Sequence, residues 1–222
     1  MQNRKKFVGI DLAWKRTNPS FVVVLDQDAR IMYQKKLEFD KILPFLQTQI
    51  EPKEAIIGVD APLIVNNETG NRRTEIEFLK SYSKYRLGAY PVNRQLLLRT
   101  YGGIIGEELC SLLNEYKMVE VYPHATILNL FNDRKVLPYK YKKGRNKAFY
   151  IEQLKIYGAF LDTVVGNIDH SLLDTSTIKT LKVYEDYLDS ITCAYTLYYY
   201  HRYPTKYEIF GSTEEGLLIV PT

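Results

Sequence analysis

Two short stretches of this chain share one shape: Val8-Gly9-Ile10-Asp11 and Ile57-Gly58-Val59-Asp60. Each is an apolar, β-branched run with one glycine, and each ends in a lone aspartate. Val/Ile runs of this kind predict strands buried on both faces, as in the middle of a parallel sheet. A carboxylate at the end of such a strand is costly unless it meets a cation or a donor. Either aspartate alone could cap a turn. Two at matching strand ends can converge, and converging carboxylates hold a divalent metal more readily than they form a salt bridge.

The chain has 222 residues, 45% of them hydrophobic and 25% charged, which suits one large soluble domain and leaves little room for a second. The expectation is a single domain over residues 1–222, with helical insertions around 66–117 and 124–183. No apolar run approaches the ~18 residues of a membrane span. The basic residues 1–6 lead straight into a strand-like segment and lack the apolar stretch of a signal peptide. Cys110 and Cys193 are the only cysteines, too few for a disulfide framework or a zinc site. A reducing cytoplasm is therefore the expected compartment, with no membrane partner. A net charge of +4 permits a nucleic-acid partner without demanding one.

Strands are expected at Phe7–Ala13, Phe21–Leu25 and Ile31–Leu37. Short connections make them an antiparallel meander, with Asp26-Gln27-Asp28 supplying turn chemistry. Helical spacing over 38–50, interrupted by Pro44, precedes a strand at Ala55–Asp60. It recurs at Glu75–Tyr85, Ile104–Tyr116, Lys147–Phe160 and Tyr184–Tyr200. Further strands are expected at Met118–Tyr122, ended by Pro123, and at Leu217–Val220. This order predicts an α/β protein of the ribonuclease-H-like fold, in which three antiparallel strands plus parallel strands form a mixed central sheet with helices on both faces.

Asp186 and Asp189 lie three residues apart near the expected start of the last long helix, so both occupy one face. Acids in a first helical turn are also favoured by the helix dipole alone, which leaves a solvated pair as the alternative. Together with Asp11 and Asp60 they make four candidate metal ligands, and Glu120 in Val119-Glu120-Val121 is a possible fifth catalytic carboxylate. Such a set suits Mg²⁺ or Mn²⁺ and in-line cleavage of a phosphodiester.

Residues 134–147 carry seven basic side chains and no acid, with Tyr139 and Tyr141 interleaved. Lysines among aromatics suit phosphate neutralisation and base stacking, which nominates Lys140, Lys142, Lys143, Arg145 and Lys147 as nucleic-acid contacts. A solvated basic loop is the alternative. His124 follows the fifth strand and is a candidate acid or base, although a lone histidine there is more often structural. Neither cysteine has a histidine nearby in sequence, and no serine elbow or Gly-x-x-x-x-Gly-Lys phosphate loop occurs.

Six motifs come in order: Gly9-Ile10-Asp11-Leu12-Ala13-Trp14; Ile57-Gly58-Val59-Asp60-Ala61-Pro62-Leu63; Arg72-Arg73-x-Glu75; Glu120-Val121-Tyr122-Pro123; Asp186-x-x-Asp189 with Cys193-Ala194-Tyr195; and Gly211 through Glu215-Gly216 to Val220-Pro221. The set resembles the ribonuclease-H-like proteins catalogued as domain of unknown function 429. The resemblance implies a ribonuclease-H-like fold and a metal-dependent nuclease. The helix pair is also similar to that of Holliday-junction resolvases, and that similarity implies Asp11, Asp60, Asp186 and Asp189 as the metal ligands, although resolvases usually carry glutamate where this chain has Asp60.

The expected function is Mg²⁺- or Mn²⁺-dependent hydrolysis of DNA or RNA. One alternative keeps the fold but not the chemistry, as a catalytically silent nucleic-acid-binding or regulatory protein. Another is an actin-like or sugar-kinase-like phosphotransferase, which also opens on a Gly-φ-Asp strand (φ being apolar). That architecture needs two such domains and glycine-rich phosphate loops, and 222 residues with 12 glycines offer neither convincingly.

Overall fold

A computed structural model describes residues 5–142 and 144–222. The meander forms as the strand patterns predict: β1 (Lys6–Asp11), β2 (Ser20–Leu25) and β3 (Ile31–Leu37) pair antiparallel in sequence order. The turn between β2 and β3 is built by Asp26, whose Oδ1 accepts from the N–H groups of Asp28 and Arg30, both at 2.9 Å. Helix α1 (Phe39–Gln49) runs through Pro44 without breaking. Pro44 and Asp40, whose carbonyl loses its helical donor, are both exposed, so water can satisfy that group. β4 (Ala55–Val59) then pairs parallel with β1, and β5 (Lys117–Val121) parallel with β4.

Helices α2 (Arg73–Tyr82), α3 (Arg94–Tyr101) and α4 (Ile105–Leu112) lie between β4 and β5. After β5 come α5 (Pro123–Leu130), α6 (Lys147–Asp162) and α7 (Ile178–Arg202). The chain closes with the antiparallel pair β6 (Tyr207–Ser212) and β7 (Gly216–Pro221). The sheet has seven strands in the order β3-β2-β1-β4-β5-β7-β6.

The alternation of side chains along each strand divides the core between the two faces of the sheet. Val8, Ile10, Val22, Val24, Ile57 and Val59 pack toward α1 and α4. Phe7, Phe21, Val23 and Leu25 pack toward α6 and α7. Helices therefore cover both faces. α7 is buried on nearly all sides from Tyr184 to Leu197, so it is a core helix. No helix among the described residues is long and apolar enough to cross a membrane.

Four elements differ from the sequence expectation. Pro123 ends β5 but also starts α5, where its missing N–H would be unpaired in any case. α3 is short and capped by the Asn93 side chain, which accepts from Leu96 N–H at 2.9 Å. α7 starts at Ile178, set by a Thr177/Thr180 capping box, six residues before its apolar stripe begins. β6 is an edge strand with exposed Glu208 and Ile209, too polar to stand out from a loop.

Candidate metal centre

Gly9 and Gly58 are direct neighbours in the β1–β4 register. Both face α7, and each lies two residues before its aspartate, so Asp11 and Asp60 face α7 as well. A Cβ on Gly9 would stand 1.9 Å from the Ser190 carbonyl oxygen, and one on Gly58 2.9 Å from that of Cys193. The glycines are therefore the seat of the helix. Bare backbone lets α7 come down until Asp189 reaches the strand ends. The Asp60 N–H donates to Ile10 O at 2.9 Å, which keeps the two strand ends side by side.

Asp11, Asp60 and Asp189 each bring a carboxylate oxygen to within 4.8 Å of the other two. Asp189 is fully buried, and Asp11 and Asp60 are partly so. Burial raises the Asp11 carboxyl well above its usual range; Asp186 and Asp189 add to the rise and Lys140 opposes it. Burial raises Asp60 to about 7, with Lys140 pulling down and Asp189 pushing up.

Asp186 does not join the three. It stands at the rim, bonded to Lys182 at 2.5 Å and to Lys36 at 3.5 Å. Both helix aspartates lie beyond the first turn of α7, so the dipole does not account for them.

Glu120 is corrected outright. It pairs with Val59 in register and so points to the opposite face from Asp60. There it is bound by Arg72 through both oxygens, each at 2.7 Å, and by Leu63 N–H at 2.8 Å. Arg72 also holds Glu75 through both carboxylate oxygens, at 2.5 and 3.0 Å. Burial works against the Arg72 charge, but the bonds to Glu120 and Glu75 outweigh it and hold the guanidinium protonated.

The basic segment splits. Lys140 turns inward, with its ammonium bonded to Asp189 and 3.4 Å from Glu185. Burial opposes its charge, but Asp189, Glu185, Asp11 and Asp60 together more than compensate. Its expected place as a surface contact for nucleic acid is thus replaced by that of an internal counter-ion. Tyr139 is buried too, and its hydroxyl donates to Asp189 at 2.6 Å. Arg145 donates to the carbonyls of Pro138 and Lys140 at 2.6 and 2.7 Å, clamping the loop that carries both. Lys142 is exposed, Lys147 donates to Ser176 O at 2.9 Å, and Lys143 lies outside the described residues.

Two further groups complete the site. Glu185, one helical turn before Asp189, accepts from the Tyr150 hydroxyl and the Lys182 ammonium, each at 2.7 Å. Its i, i+4 relation to Asp189 is the sequence signal that marks it. His124 stacks on Tyr139 at 4.4 Å; burial first, then Lys140, pushes it down to about 3, so it is neutral at neutral pH.

The donor set is entirely carboxylate oxygen, which suits Mg²⁺ or Mn²⁺. Among the described residues, Asp11, Asp60, Asp189, Glu185 and Asp186 face three ammonium groups, those of Lys36, Lys140 and Lys182. Fully ionised, the acids exceed the lysines by two charges, which one divalent cation would balance. The residues fit such an ion.

Fold and site together define an α/β protein whose mixed sheet presents a buried carboxylate cluster at the ends of two parallel strands. Residues 9–102 match the family described as "Protein of unknown function (DUF429)", the family that the motifs resemble. The matched part holds Asp11 and Asp60, whereas Asp189 lies beyond it. Neither a curated protein nor a solved structure matches the chain.

Proposed function

We propose that the chain hydrolyses phosphodiester bonds of nucleic acid in a Mg²⁺- or Mn²⁺-dependent reaction, on a ribonuclease-H-like fold. The fold part of the reading is supported by the strand order β3-β2-β1-β4-β5, with an antiparallel meander followed by two parallel strands. The observation that carries the function is the convergence of Asp11, Asp60 and Asp189 within 4.8 Å. A metal bound there supplies a Lewis acid for the attacking water and the phosphoryl oxygens. The protein's own part is to hold three oxygens in place from two strands and one rigid helix. Tyr139 and Tyr157 orient Asp189, donating to it at 2.6 and 3.1 Å. Lys140 and Lys182 keep positive charge beside the acids. The two free cysteines fit a reducing compartment, and we place the protein in the cytoplasm on that ground.

One observation favours a second reading, a nucleic-acid-binding protein without catalysis. Lys140 already neutralises Asp189 from within the chain. The two readings separate in a titration of the purified protein with Mn²⁺ and Mg²⁺ against labelled single-stranded, double-stranded and branched DNA and RNA. Metal-dependent cleavage that Asp11→Asn reduces at least about a hundredfold supports the first, on the scale of removing one major electrostatic group from a site. Cleavage unchanged in the variant would place the activity elsewhere. Binding without cleavage at any metal concentration would leave the silent reading.

A further inference from the structure

A cleft of about 110 Å³ opens beside Asp60, at the carboxyl ends of β4 and β5, and is closed by α2 and the loop before α3. That is several times the space one water needs, enough for one planar ring system. Its walls are aromatic: Trp14, Tyr90 and Tyr122 all line it, with Trp14 and Tyr90 in edge contact at 5.6 Å. The Arg72–Glu75–Glu120 cluster also lines it, and each of these side chains is less than a tenth exposed.

The hydrogen bonds of that cluster decide what the cleft accepts. Arg72 spends its donors on Glu75, Glu120 and the Ile64 carbonyl, the last at 2.6 Å. A guanidinium has five N–H donors, so none is left for an anion. The carboxylates are in the reverse position. Glu75 accepts twice and Glu120 three times, against about four acceptor sites on each. Two carboxylates on one guanidinium also leave one excess negative charge. The cleft therefore offers aromatic faces and unfilled carboxylate acceptors, and its guanidinium has no donor free for an anion, which leaves only the neutral Trp14 N–H and Tyr90 O–H as donors. That disfavours a phosphate or carboxylate as its occupant and selects a flat ring bearing N–H groups in its plane.

We propose that this cleft binds a nucleobase, with preference for bases that carry an amino group, such as adenine and cytosine, over uracil. The base is that of a nucleotide whose phosphate reaches the carboxylate cluster across Asp60, the residue common to both sites; this last clause rests on the phosphodiester reading above. A base inside the cleft is withdrawn from pairing and stacking in its own strand. The substrate class is thus single-stranded nucleic acid, or a duplex with an extrahelical base.

Trp14 is the sole tryptophan of the chain, so intrinsic fluorescence reports directly from the cleft. The test titrates the metal-free full chain with adenosine, cytidine, uridine and inorganic phosphate. Saturable quenching by adenosine or cytidine, weaker with uridine and absent with phosphate, is the expected result. Tyr90 is 46% exposed, so Tyr90→Ala should keep the parent melting temperature while weakening adenosine on the order of tenfold. Glu75→Gln should remove the preference over uridine. The absence of saturable quenching with every nucleoside would overturn the proposal, even if metal-dependent cleavage is found. So would a response to phosphate, a preference for uridine, or an affinity unchanged in a folded Tyr90→Ala. Nucleoside binding in a protein that cleaves nothing would leave the base cleft standing and remove the phosphodiester reading instead.

Discussion

Asp60 holds its proton to about pH 7 in the folded, metal-free protein because burial disfavours its charge. In the unfolded chain an aspartate titrates near its ordinary value of about 3.9. Between roughly pH 4 and 7 the unfolded state gives up a proton that the folded state keeps, so stability falls as pH rises through that window. Above the folded value both states are ionised, and the loss is complete. Asp60→Asn removes this dependence. In EDTA the variant should melt higher than the parent at pH 8, by about 2–4 °C per kcal/mol recovered, and show no gain from this source below pH 4. Saturating Mn²⁺ should stabilise the parent more than the variant. Thermal melts at both pH values decide it, and an equal shift at pH 4 and pH 8 would rule out buried charge as the cause. Asp11, Asp60 and Asp189 are legible in the sequence because the strand ends and the helix period fix which way they face. Lys140 is not, since nothing distinguishes it from its basic neighbours until the carboxylates it turns toward are assembled. Glu120 misleads for a related reason: it lies in the right strand, but one residue of register sends it to the other face.

α7 on its glycine seat is the element that assembles the centre, and the contact is tight enough to test by one methyl group. Gly9→Ala would put a Cβ 1.9 Å from the Ser190 carbonyl, so the helix must lift or the strand must bend. A backbone clash of that kind should destabilise by about 3 kcal/mol or more. Gly88→Ala is the matched control, because nothing lies within 4 Å of its Cβ position, and it should stay within about 0.5 kcal/mol of the parent. Urea denaturation gives both numbers. A Gly9→Ala protein as stable as the control would mean that α7 does not rest on β1. Mn²⁺ affinity should fall with Gly9→Ala as well, because Asp189 moves with the helix. Elements with a clear apolar period, such as β1, β2, β4 and the middle of α7, are legible from sequence alone. The elements that escape are those defined otherwise: α7's first turns by a capping box, α3 by an Asn cap, α5 by a proline that reads first as a strand breaker, and β6 by pairing with a neighbour.

Across the whole molecule the charges are sorted, with a net charge of +4 overall and an acid excess gathered at one buried point. A polyanion approaching that point needs surface cations outside it, and the cations that serve are those the site has not taken. Lys140 is committed to Asp189, and Arg145 to the Pro138 and Lys140 carbonyls, so their removal would disturb the centre and the loop together. Lys142 is exposed, and among the described residues Lys147 bonds only a backbone carbonyl, at 2.9 Å, so both ammonium groups remain available to phosphate. Each phosphate neutralised steepens the fall of log affinity with log salt by about 0.7 to 0.9. The pair Lys142→Ala and Lys147→Ala should therefore flatten the salt slope for single-stranded nucleic acid by about 1.4 to 1.8. The loss should be similar across sequences, because phosphate contacts position the strand without reading it. Mn²⁺ affinity should stay at the parent value, since neither lysine touches a carboxylate of the cluster. Filter-binding or anisotropy titrations from 50 to about 200 mM salt read the slope directly. A slope unchanged in the double variant would return these two lysines to a solvated loop and require the strand to enter from another side of the sheet edge.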